Sequence, residues 1–170
     1  MKKLLPYLIL LVTAWSCSES EPEVYTGQKI EYKLNKASDF NYTGTLIIRE
    51  LSDRNLELTI QMVGAKSTLS TTFPAHLHYG SYTDPDAQMA LMLNAVSGAD
   101  LKSTTVLGVL MNGSKLSFED MKNFDGHVKV HLSSEGPDYQ VILVAGNVGS
   151  NSDDLLKFDS TQMKICSSDF

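Results

Sequence analysis

Cysteine, arginine and long apolar runs are all scarce in this 170-residue chain, and each scarcity excludes something. Arginine stops at Arg54, and beyond the first three residues there is no run of Lys or Arg. Binding to a phosphate backbone depends on such clusters, so nucleic acid is not an expected partner. No apolar run reaches the ~20 residues that a bilayer-spanning helix needs. Helical periodicity is nearly missing, and no internal repeat is visible. What remains is 42% apolar, the content of a folded chain rather than a disordered one, at a length suited to one domain with a single core.

The N-terminus reads as a targeting segment. Met1-Lys2-Lys3 supplies a positive start and Leu4 to Trp15 an apolar run of roughly a dozen residues, the pattern of a signal peptide. It ends in Thr13-Ala14-Trp15-Ser16-Cys17, which resembles a lipobox. The expectation is therefore cleavage before Cys17 and attachment of lipid to that cysteine, with an ordinary signal peptide and an incidental cysteine as the alternative. Residues 17–27 follow as an acidic tether, Ser18-Glu19-Ser20-Glu21-Pro22-Glu23, without apolar periodicity. This stretch is similar to the surface-export signal of Bacteroidetes lipoproteins. Removing residues 1–16 leaves 12 basic and 20 acidic side chains, a net charge near −8. The expected location is the cell envelope, lipid-anchored at the outer membrane and facing either the periplasm or the outside. If Cys17 is acylated, Cys166 has no partner within the chain, and the domain must stand without a disulfide. Cys166 itself is left open as buried, reactive or exposed.

Between residues 28 and 151 the pattern is that of short strands with turn signals about every ten residues. Gln28 to Leu34, Tyr42 to Leu51 and Leu56 to Val63 alternate or are rich in β-branched residues, with Ser52-Asp53-Arg54-Asn55 as a polar turn. Further strands are expected over Ser70 to Tyr79, Met89 to Leu93, Thr104 to Met111, His127 to Leu132 and Tyr139 to Ala145. One short helix is expected near 117–123, where Ser117-Phe118-Glu119-Asp120 forms a capping box and Phe118 and Met121 share a buried face. About eight strands at this spacing imply an all-β antiparallel sandwich or barrel. Residues 152–170 lack periodicity and read as a C-terminal tail that packs loosely.

The four histidines fall in two pairs, His76-x-His78 and His127-x-x-x-His131. On a strand, residues two apart share a face with Cα atoms ~6.6 Å apart. Two imidazoles so placed can meet one metal ion at about 2.0 to 2.1 Å each. Alternatively, one of the pair is a surface residue at a strand end. His127 and His131 share a face as well, but lie ~13 Å apart in a strand. They are not expected to be equal ligands, and one of them should lie outside any shared site. The methionines, spread over apolar positions, read as core filling rather than a copper relay. Tyr79, Tyr82, Asp84 and Asp86 flank the first pair and could shape a site, though Asp-Pro-Asp is more often a turn.

At these residues the chain resembles the copper–zinc superoxide dismutase superfamily and the related CHRD-type domains of Bacteroidetes lipoproteins. The resemblance runs from about residue 44 to 151. It is carried by Phe73-Pro74-Ala75-His76-Leu77-His78-Tyr79-Gly80, Leu93-Asn94-Ala95-Val96-Ser97-Gly98, Phe124-Asp125-Gly126-His127-Val128-Lys129-Val130-His131 and Ile142-Leu143-Val144-Ala145-Gly146-Asn147-Val148-Gly149. It implies a Greek-key antiparallel β-sandwich of the dismutase type with one short helix. It also implies copper ligands at His76, His78 and His131, and matches His127 to no ligand position.

The departures bear on chemistry. Tyr79 to Ala90 is too short for a zinc loop and holds no histidine, no guiding arginine follows Arg54, and Ala145-Gly146 stands where the dismutases have Ala-Cys-Gly. Without a bridging imidazolate or a cationic funnel, efficient superoxide dismutation is not expected. Two classes of function remain. One is a lipoprotein binding copper or zinc through three neutral imidazoles. The other is a structural or interaction domain whose histidines are polar contacts of the fold. A weak copper-only dismutase is a further alternative. The protein partner is not specified by any motif.

Overall fold

Alternation along Leu56, Leu58, Ile60 and Met62 gives a strand with one apolar face, and all four of these side chains are buried. The computed structural model, which describes residues 24–152 and 158–165, contains eight strands. These are β1 (Tyr25–Lys36), β2 (Thr43–Leu51), β3 (Leu56–Val63), β4 (Thr72–Tyr79), β5 (Met89–Ser97), β6 (Lys102–Val106), β7 (Asp125–His131) and β8 (Ile142–Gly149). Among the described residues the one α-helix, α1 (Phe118–Lys122), begins as its sequence requires. The Ser117 hydroxyl accepts from the Asp120 N–H, the Asp120 carboxylate accepts from the Ser117 N–H, and Phe118 and Met121 are buried.

The strands do not form the expected Greek-key sandwich of two stacked sheets. They close into a single antiparallel barrel in the order β1-β2-β3-β6-β5-β4-β7-β8. Closure is made by short seams: β1 meets β8 through Asn35↔Ala145 and Lys36↔Val144, and β5 meets β6 through Ser97↔Lys102. A sandwich and a barrel demand the same one-sided burial from each strand, so alternation cannot distinguish them. Pairing of the terminal strands removes exposed sheet edges, and that pairing is a property of the assembled sheet.

Leu34, Leu46, Ile48, Leu58, Ile60, Leu77, Val128, Val130 and Val144 pack in the main core. β6 ends at Val106, short of the expected Met111. Beyond it Leu107 and Leu110 are buried, while Val109 and Met111 are exposed. Residues 158–165 pack against the barrel wall: Phe158 and Met163 lie on Ala37, Ile142 and Ala145, and the Phe158 ring is 4.7 Å from that of Tyr82. Cys17, the signal segment, most of the tether and Cys166 lie outside the described residues.

Candidate functional site

Period two and one strand register bring the histidines together. Leu77 and Val128 belong to the core, so the intervening side chains of β4 and β7 project to the outside of the barrel. Antiparallel pairing sets His78 directly opposite His127 and His76 opposite Lys129, with His131 one step further along β7. Two register shifts fall beside these residues, between Leu77 and His78 and between Val130 and His131. Such irregularities re-aim the side chains next to them.

An outer barrel face is ordinarily wet, yet His76, His78, His127 and His131 are 4%, 1%, 0% and 0% exposed and Lys129 is 1% exposed. Parts of three connecting segments surround them. After β4, the Tyr82 N–H donates to the Asn147 side-chain oxygen of β8 at 3.0 Å. Before β8, a 3₁₀ turn at Pro137–Gln140 places the Tyr139 ring 4.5 Å from His131. From residues 158–165, the Lys164 N–H donates to the Tyr82 carbonyl, and the Lys164 carbonyl accepts from the Lys129 ammonium at 2.7 Å.

Within this enclosure His76 is central. Its ring centre lies 5.8 Å from that of His78 and 5.0 Å from that of His131. Two imidazoles bound to one ion at ~2.0 Å and roughly tetrahedral angles have centres about 5 to 6 Å apart. His76 thus lies at ligand spacing from each of the other two histidines singled out by sequence. Their donor atoms do not yet converge: among the described residues no group of three or more His, Cys, Asp or Glu side chains is arranged to hold an ion. Closing the site requires rotation of the rings about their side-chain torsions.

His127 departs from expectation. Instead of lying apart from the cluster, it stacks on His78, with ring centres 4.9 Å apart and planes within 7°. Stacked rings cannot serve one ion together, because an imidazole lone pair lies in its ring plane and two parallel planes share no point. Its Nδ1–H donates to the Gly80 carbonyl at 2.8 Å, which leaves Nε2 as the lone-pair nitrogen. That Nε2 is buried with no hydrogen-bond partner among the described residues. His131 has the same tautomer: its Nδ1–H donates to the Tyr139 carbonyl at 2.7 Å.

Burial is the main cause that keeps all four rings neutral. It lowers His76, His127 and His131 to about 4 and His78 to about 2, with the neighbouring Lys129 charge pushing each the same way. Neutral imidazoles are the form that binds metal. The buried Lys129 cation works against a cationic ligand, although its ammonium is turned toward Lys164.

Sequence reasoning missed Lys129, Tyr139 and residues 158–165. For Lys129 the signal was present, since it sits midway between two histidines that share a face. Met92 also departs from the core-filling expectation, being 65% exposed. Comparison with family models, curated proteins and solved structures found no match.

Proposed function

We propose that this chain is an envelope lipoprotein, anchored through lipid on Cys17, whose barrel binds copper or zinc through His76, His78 and His131 and does not catalyse efficient superoxide dismutation. The observation that carries the metal reading is the placement of His76 between His78 and His131, at ring spacings of 5.8 and 5.0 Å, with all three buried on one wall. Support also comes from the donor chemistry: burial keeps the three imidazoles neutral, the form that binds metal. The resemblance of the segments around these histidines to copper–zinc dismutases and CHRD-type domains agrees with the same donor set. Titration of the metal-free full chain should show one equivalent of copper or zinc bound, with the affinity lost in His76→Ala.

A second reading, that the histidines are contacts of the fold, is favoured by the two ring stacks, His78 on His127 and His131 on Tyr139. Equal metal binding by the parent chain and His76→Ala, or none by either, would establish that reading in place of the first.

A further inference from the structure

We propose that Met92 is a soft donor to the ion held at His76, so that the site selects Cu(I) over zinc. The inference rests on the three-histidine reading and adds to it the identity of the metal and a fourth ligand.

Met92 lies on β5 directly opposite His76 on β4. Residues so paired have Cβ atoms about 4.5 to 5.5 Å apart, and His76 projects outward, so Met92 stands beside it on the outer face. The immediate neighbours of Met92 point the other way, because Leu91 packs against the core and Leu93 is buried in it while Met92 is 65% exposed. A groove of about 1080 Å³ opens along this face, and both His76 and Met92 line it together with Pro74, Tyr139 and Ile165. His76 is thus reached from solvent through a passage whose wall carries a thioether.

The chemistry follows from the donor types. A methionine side chain has three rotatable bonds and a polarizable sulfur, so Met92 can swing over His76 without moving the backbone. Thioether sulfur is a soft ligand that favours Cu(I), whereas imidazole alone suits zinc and copper alike. His78 and His131 flank His76 on the barrel wall, and Met92 approaches it from β5. A site of three imidazoles and one thioether therefore discriminates where three imidazoles would not. Among the described residues Glu135 is the only acidic one lining the groove, so these walls offer little carboxylate to retain a hard cation.

The test uses the full chain, loaded anaerobically with Cu(I) or separately with Zn(II), with affinities read by chelator competition for the parent, Met92→Leu and His76→Ala. Leucine conserves the volume of an exposed side chain, so the barrel is expected to keep its unfolding midpoint. Cys166 is common to every variant, so differences between them do not arise from its thiol. Met92→Leu should weaken Cu(I) by about tenfold or more while leaving zinc unchanged, and a copper–sulfur contact in the X-ray absorption spectrum of the parent should weaken or vanish. Unchanged Cu(I) affinity in Met92→Leu, with both metals lost in His76→Ala, would overturn the role of Met92 and leave the histidine site standing. Equal weakening of both metals by Met92→Leu would overturn the selectivity. Full retention of both metals by His76→Ala would remove the site itself, and the proposal with it.

Discussion

At the scale of single residues, the wall of β4 and β7 holds four imidazoles and an ammonium in an enclosure that nearly excludes water. Burial first, and Lys129 after it, hold His127 at about 4, and His76 and His131 are held at the same value. The sign of the pH effect follows. A histidine with an ordinary unfolded pKa near 6.5 and a lower folded one binds its proton more readily when the chain is open. Stability is therefore fully present above about pH 6.5 and is lost as pH falls toward the folded values. Each such histidine costs on the order of 3 kcal/mol by pH 4. The urea midpoint of the metal-free chain should fall steeply between pH 6.5 and 4.5; a midpoint flat across that range would mean that the rings are not buried. His76 and His78 were legible as a same-face pair because period two is a local rule. Where His131 and His127 stand was not, since it depends on which strand lies beside β4.

At the scale of elements, the site depends on how closely β4 and β7 approach. Gly126 on β7 lies opposite Tyr79, beside the His78–His127 pair. A Cβ at Gly126 would sit 2.5 Å from the His78 carbonyl oxygen and 2.2 Å from the Phe124 ring. The ring can move, but the carbonyl belongs to the sheet backbone. Gly126→Ala should therefore destabilise the barrel by roughly 1 to 3 kcal/mol, as overpacking does. It should also weaken metal binding, because it pries apart the strands that carry the ligands. Denaturation and metal titration of the same variant check both effects, and an unaltered midpoint would show that the strands tolerate the extra atom. The capping box at Ser117 and most strand positions were readable from sequence, since turns, caps and alternation act within a few residues. The early end of β6 was not, because Leu107 and Leu110 leave the sheet to fill the core.

For the whole molecule, the barrel and its anchor pose separate questions. Among the described residues no helix is long and apolar enough to cross a membrane, and the proposed attachment lies at Cys17, outside those residues. Cys17→Ser should move the protein from the membrane fraction to the soluble fraction of the envelope or to the medium; retention on the membrane would refute the lipid assignment. By itself the sequence determined roughly where most strands lie, which face of the alternating ones turns inward, where the short helix starts, and that His76 and His78 share a side. These follow from interactions between residues close along the chain. Closure of the sheet into a barrel, the meeting of His131 and His127 with the first pair, the seating of Lys129 under residues 158–165 and the placing of Met92 beside His76 were decided only by tertiary structure. Each of these depends on the register between strands distant in sequence, and register is set by how the whole sheet buries its apolar faces at once.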